Sequence, residues 1–174
     1  MKAEEFIRTI SEAAPSDDVL ANYGLDNAEI EDIQKTFQAF PRTSAPVPPD
    51  GSGEVGRLIA EFDCTSLEVG LIRFDPQITE LNLGFRFGVC EADPLVIVKD
   101  GSVVMYDHSG SPASLLHCAL DSELFLDALA VFVEIRARKK EWKGRQVEAT
   151  KKCCAASGDP NSINFYGMLC SFLG

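Results

Sequence analysis

The stretch that decides the fold is LVIVKDGSVVMY, residues 95–106. Asp100 and Gly101 divide it into two apolar runs. Asp-Gly between apolar runs favours a two-residue hairpin turn, because both residues of that turn need a positive φ. The pattern therefore predicts two antiparallel strands that pair Val98 with Val103. Both faces of these strands are apolar, so we expect central strands that are covered on both sides.

Alternating side chains extend the block of strands on either side of this hairpin. Leu58, Ala60 and Phe62 recur at every second position, which is the period of a strand. Asp75-Pro76 is a turn signal, and we expect it to end the second of these strands. The segments predicted as strands on this basis are residues 57–62, 69–74, 81–88 and 115–120.

Helical patterns precede and follow the strands. Asp26 and Glu29 have the spacing of a capping box, in which each side chain accepts a hydrogen bond from the other residue's backbone N–H. Asp121 or Ser122 is expected to cap a long helix that follows the strands. The predicted helices cover residues 3–13, 26–40, 122–140, 145–156 and 160–173.

The order of these elements indicates the fold class. Helices, then strands, then helices are typical of an α+β fold with a mainly antiparallel central sheet flanked by N- and C-terminal helices. A length of 174 residues suits one domain, since domains often run to roughly 100–200 residues. We therefore expect a single domain over residues 1–174, in which residues 141–174 form a helical addition.

The charge of the chain is acidic and unevenly distributed. The net charge is −11, with 27 acidic and 16 basic residues. Such a surface repels phosphate backbones, which argues against nucleic acid as a partner, and it attracts basic proteins. An acidic surface also simply keeps a protein soluble, and that alternative stays open. Eight basic residues lie between Arg136 and Lys152, and we interpret them as a solvated helix end.

The cysteine and histidine content does not indicate a metal site. The sequence has six cysteines, none in a Cys-x-x-Cys spacing, and only two histidines. The spacing typical of zinc ligands is therefore absent from the sequence. We expect buried free thiols, assign no role to the pair Cys153-Cys154, and expect no metal and no cofactor. The acidic N-terminus is unlike a signal peptide, and no run of about 18 apolar residues predicts a membrane span. A cytoplasmic protein without membrane contact is therefore expected.

Two histidine-containing segments carry the residue types of hydrolytic sites. Asp107-His108-Ser109 has the types of a catalytic triad, but a triad needs side chains that converge from separate segments, so a turn is the favoured interpretation. His117-Cys118 has the types of a nucleophile and its base, yet neighbouring strand residues point to opposite faces. A Cys/His hydrolase stays open on one condition, an exposed thiol of low pKa near His108 or His117.

Acidic residues at predicted strand ends and turns form the candidate binding surface. Glu91, Asp93, Asp107 and His108 follow or precede strands, so we expect them at the rim of the sheet, where they would meet a basic protein partner. The alternative is that these side chains face only water.

The order of patterns over residues 91–133 resembles the SUKH superfamily, which includes a yeast regulator of cell-wall assembly and many bacterial immunity proteins. The pattern consists of an apolar strand at 95–98, the turn at Asp100-Gly101, a strand that ends in an acidic turn at 103–107, and the helical string LFLDAL at 124–129. The resemblance implies a SUKH-like α+β scaffold that has no active site and acts by binding.

The function expected from this resemblance is that of a non-enzymatic immunity protein. Bacterial members of the superfamily are inferred to neutralise toxins, often nucleases or deaminases, and an acidic inhibitor suits the basic cleft of such a toxin. The expected partner is therefore a protein, with a basic toxin domain as the first candidate. The alternatives are an adaptor or regulatory protein-interaction module and the Cys/His hydrolase.

Overall fold

The computed structural model describes residues 1–106 and 115–173, without the side chain of Phe172. The predicted turn at Asp107-His108-Ser109 lies outside the described residues. The helices are α1 (Ala3–Glu12), α2 (Asp17–Ala21), α3 (Asn27–Lys35), α4 (Gly53–Glu61), α5 (Ser122–Ala137), α6 (Lys139–Trp142), α7 (Gln146–Ala156) and α8 (Ile163–Cys170), with 3-10 turns at Pro160–Ser162 and Ser171–Leu173. The strands are β1 (Phe40–Pro41), β2 (Phe62–Asp63), β3 (Glu68–Val69), β4 (Ile72–Leu81), β5 (Gly84–Cys90), β6 (Asp93–Val98), β7 (Val103–Met105) and β8 (Leu116–Ala119).

The centre of the fold is a six-stranded antiparallel sheet in which strands β3 to β8 lie side by side in chain order. Short connections make this order natural, because antiparallel neighbours need only a tight turn. Helices precede and follow the sheet along the chain. The predicted α+β class with a mainly antiparallel sheet flanked by N- and C-terminal helices is therefore confirmed.

Aromatic rings link the two ends of the chain through the core. Neighbouring rings have centroids between 5.1 and 6.5 Å apart, a spacing at which aromatic pairs attract each other beyond simple burial. Helix α5 is buried over most of its surface and carries the fourth ring of this series, that of Phe125. The rings are, in spatial order, those of Phe6, Phe74, Phe87, Phe125, Phe165 and Tyr166.

The central hairpin is confirmed, but the predicted register is wrong by one residue. Val103 pairs with Ile97 instead of Val98. The backbone N–H of Val98 donates to the carbonyl of Ser102 over 2.9 Å, so the loop contains three residues. Gly101 has φ of +93°, which suits the last position of a three-residue loop with a bulge. The shift reverses the faces of β7, and the sequence tolerates it because all three residues of β7 are buried.

The prediction of a strand at residues 57–62 is wrong, because this segment belongs to helix α4. Val55, Leu58 and Ile59 are buried together, and their spacing is that of one helix face. The start of α4 is fixed by a distant residue, since the backbone N–H of Glu54 donates to the hydroxyl of Ser122 over 2.9 Å. A short apolar pattern fits both periods, and the longer window from residue 55 decides for the helix.

Two other strand boundaries also differ from the predictions. Segment 69–74 contains the turn between β3 and β4, and Pro76 lies inside β4 instead of ending it. A register shift between Phe74 and Thr79 accommodates this proline, since a bulge needs no hydrogen bond from it. Segment 81–88 likewise contains the turn between β4 and β5. Strand 115–120 is confirmed as β8.

Two capping signals correctly predicted where a helix begins. The backbone N–H of Glu29 donates to Asp26 and that of Asp26 to Glu29, both over 2.9 Å, so the capping box is confirmed. Asp121 accepts from the backbone N–H of Leu124 over 2.8 Å and caps α5. Helix α3 ends at Lys35, earlier than predicted, and α2 was not predicted.

Candidate functional site

Glu91 and Asp93 lie at one edge of the central sheet, as predicted. Cys90 pairs with Asp93 across the turn between β5 and β6. Glu91 has φ of +56° and is, among the described residues, the only one besides glycine with a positive φ. That backbone conformation costs an L-residue roughly 1–2 kcal/mol. The turn thus keeps a carboxylate where glycine would be the more stable choice.

The chain reaches the same edge again just before residue 107. The backbone N–H of Tyr106 donates to the carbonyl of Pro94 over 2.9 Å, so Tyr106 lies beside the start of β6. The predicted site residues Asp107 and His108 fall outside the described residues, and their grouping with Glu91 and Asp93 stays a prediction.

Residues 17–32 form an acidic segment that the sequence analysis did not single out. This segment holds six acidic residues and no basic residue, and all six are exposed. In the described part of the chain, the one ion pair made by these carboxylates joins Asp32 to Lys35 over 2.8 Å. Tyr23 is 74% exposed and Val19 46% exposed, so apolar surface lies within the same segment. The sequence already contained this signal, as six acidic residues without a basic residue among them.

Residues 136–152 form a basic segment that spans the end of α5, α6 and most of α7. It therefore covers more than the single helix end of the sequence-based interpretation. Trp142 is only 5% exposed, and its ring lies under two cations, Arg145 at 4.5 Å and Lys152 at 5.0 Å. Arg145 also pairs with Glu148 over 2.7 Å. Part of this positive charge is thus engaged in holding the C-terminal helices.

Buried thiols do not meet the condition for a Cys/His hydrolase. Burial raises the pKa of Cys64 and Cys90 to about 12, and it raises the pKa of Cys118 well above the ordinary value. A hydrogen bond to Cys170, together with burial, raises the pKa of Cys153. The same bond lowers the pKa of Cys170, but this residue has no exposed surface. A nucleophilic thiol needs both a low pKa and access to substrate.

His117 is joined to Asp159, a contact that the sequence analysis missed. Its Nδ1 lies 3.0 Å from Oδ2 of Asp159, while Cys118 points into the core. Asp159 also accepts from the backbone N–H of Asn161 over 2.8 Å, so it ties β8 to the turn that precedes α8. Within the described ranges the His117 ring has no other hydrogen-bond partner.

The described residues contain neither a cluster of metal ligands nor a membrane-spanning helix. Across residues 1–106 and 115–173, no three His, Cys, Asp or Glu side chains converge as a metal ion would require. In the same ranges, no helix is both long and apolar enough to cross a bilayer.

Comparisons with known proteins do not identify a relative. No family model, curated protein sequence or solved structure matches this chain. The resemblance to the SUKH superfamily therefore stays a prediction that depends on residues 91–133.

Proposed function

We propose that this protein is a non-enzymatic binding protein that neutralises a basic toxin domain, of nuclease or deaminase type, by covering its active cleft. The observation that carries the proposal is the acidic segment, residues 17–32, with its six exposed carboxylates and no basic residue. An enzyme that acts on nucleic acid needs a basic cleft to hold phosphates. A dense row of carboxylates offers such a cleft the same sign of charge as its substrate.

The arrangement of the acidic segment favours fast association. Most of its carboxylates have no basic neighbour within the described residues, so their field extends into solvent instead of being neutralised at the surface. Complementary charge speeds the encounter of two proteins and does so most strongly at low salt. The interaction should therefore weaken as salt is added. The effect should be clear by an ionic strength of about 0.1–0.15 M, at which charges are screened over about 8–10 Å.

Tyr23 is the expected anchor of the interface. Tyrosine buries a large area at a low cost in conformational entropy, and it is enriched among the residues that dominate binding energy. The side chain is mostly exposed and lies between α2 and α3. The capping box of Asp26 and Glu29 fixes the start of α3. Tyr23 is therefore attached to a rigid part of the backbone and loses little conformational freedom on binding.

Glu91 and Asp93 provide a second candidate contact surface. Their edge of the sheet carries the conformational strain at Glu91, and strained residues concentrate at functional sites. Arg73 lies there as well, with its guanidinium donating to the Glu91 carbonyl over 3.2 Å. The local charge is therefore smaller than that of the acidic segment, and we rank this edge second.

The test is capture of a partner by three matched baits. The first bait is the wild-type protein, and the second carries Asp17→Lys, Asp18→Lys and Glu31→Lys. The third is a control with the same net charge as the second, in which other exposed acids are reversed through the substitutions Glu5→Lys, Glu80→Lys and Glu134→Lys.

We expect one basic protein to be retained by the wild-type and control baits at low salt and lost from the second bait. The purified partner should lose its nuclease or deaminase activity when one equivalent of wild-type protein is added. A partner that all three baits retain equally would contradict a role for the acidic segment. A retained partner without toxic activity would contradict the immunity function and favour an adaptor.

A further inference from the structure

A cavity of about 230 Å³ opens where the sheet meets the last helices. Its walls come from the turn between β3 and β4, from α5 and from the C-terminal residues after α7. Phe132, Leu169, Leu173 and Leu71 give it an apolar lining. The first three of these side chains are almost fully buried, so the floor of the cavity is part of the hydrophobic core.

Gly70 keeps this cavity open. Its φ is +66°, and a Cβ at this position would lie 2.9 Å from the Phe132 ring, which is closer than non-bonded carbon atoms approach. The same position lies 3.9 Å from Nη1 of Arg136. Any larger residue would therefore push against the wall of the cavity beside the guanidinium group.

Two cations border the apolar lining, Arg136 at the end of α5 and Lys139 at the start of α6. No described residue forms an ion pair with either of them, whereas their neighbour Arg138 lies 4.0 Å from Glu141. Their charges are therefore available to an anion at the mouth of the cavity. A guanidinium group pairs best with a planar anion that accepts two hydrogen bonds.

We propose that this cavity binds a small amphiphilic carboxylate. The apolar body contacts Phe132 and Leu169, and the carboxylate pairs with Arg136 and Lys139 at the mouth. The volume of about 230 Å³ exceeds the roughly 150 Å³ of an apolar cavity that binds benzene, so it has room for a short alkyl chain. Burial of that chain supplies the affinity, and the two cations select the head group. This site is independent of the proposed toxin-binding surface.

The test is a titration of the isotope-labelled protein with octanoate, followed by two-dimensional amide NMR. Octan-1-ol and acetate are the comparison ligands, because each lacks one half of the proposed chemistry. We expect saturable shifts at Gly70, Leu71 and the end of α5 with octanoate. Acetate should give no shifts. Octanol should bind more weakly than octanoate by about tenfold or more, since hydrogen bonds to charged groups contribute about 1.5–3 kcal/mol.

Matched variants separate the head group from the apolar body. Arg136→Gln with Lys139→Gln should weaken octanoate binding by about tenfold or more and leave octanol binding unchanged. The control, Arg138→Gln with Lys140→Gln, removes the same charge next to the cavity and should bind octanoate as the wild type does. Equal loss in both variants, or no saturable shifts with octanoate up to the millimolar range, would overturn the proposal.

Discussion

The acidic segment at residues 17–32 and the basic segment at residues 136–152 are both exposed, but their charges are used differently. Two cations of the basic segment lie over the Trp142 ring, and one of these also pairs with Glu148. In the acidic segment, Asp32 pairs with Lys35 and Asp26 caps a helix, and the other carboxylates form no ion pair with a described residue. Contacts within the fold thus engage part of the basic segment, whereas most carboxylates of the acidic segment have no basic neighbour among the described residues.

Trp142→Ala should have the largest effect on stability. The side chain is buried in the core cluster and supports Arg145 and Lys152 on its faces. Removing a large buried aromatic side chain typically costs about 3–5 kcal/mol, and the two cations lose their contact as well. Urea unfolding measures this change, with Trp142→Phe as the control that keeps a ring. A loss below about 1 kcal/mol would mean that Trp142 does not hold the basic segment together.

Asp26→Ala should lower the free energy of unfolding by about 1 kcal/mol, because an N-cap side chain is lost. The carboxylate of Asp18 forms no hydrogen bond with a described residue, so Asp18→Asn should leave stability within about 0.5 kcal/mol of the wild type. Urea unfolding of the two variants compares a carboxylate with a role in the fold and one without. Equal losses would contradict the division of the acidic segment into capping and free carboxylates.

A pH titration gives the smallest expected effect. The hydrogen bond from Arg145 lowers the pKa of the Glu148 carboxyl, so Glu148 should titrate below the ordinary range of glutamate. Its contribution to stability is present above that ordinary pKa and is lost as the pH falls through the lowered pKa. NMR titration of the side-chain carboxyl measures the shift. Arg145→Gln should return the pKa toward its ordinary value, and an unchanged pKa would rule out the pairing.

Local signals explain why much of the fold was predictable. The capping box at Asp26 and Glu29, the cap at Asp121 and the Asp-Gly turn each act within about four residues, so the sequence displays them directly. The hairpin register was missed by one residue because Asp100 accepts hydrogen bonds from both the backbone N–H and the hydroxyl of Ser102. This contact stabilises the three-residue loop over the two-residue turn, and it depends on the single side chain of Asp100.

Long-range contacts explain what could not be predicted. Helix α4 starts against Ser122, which lies 68 residues away, and the pair of His117 and Asp159 joins residues 42 apart. The cavity forms because Gly70 and Leu173 lie beside the end of α5. A hydrophobic periodicity in the sequence does not predict such long-range contacts. The acidic segment is the exception, because its charge density was readable and only its exposure required the structure.

The most direct test of the account is the salt dependence of partner association measured by stopped-flow or surface binding. Three proteins would be compared: the wild type, the variant with Asp17, Asp18 and Glu31 reversed to lysine, and a variant with Glu91→Lys and Asp93→Lys. The account predicts an association rate that falls steeply with salt for the wild type, little salt dependence for the first variant, and an intermediate slope for the second. A wild-type slope in the first variant, with the slope lost only when Glu91 and Asp93 are reversed, would contradict the assignment of binding to the acidic segment.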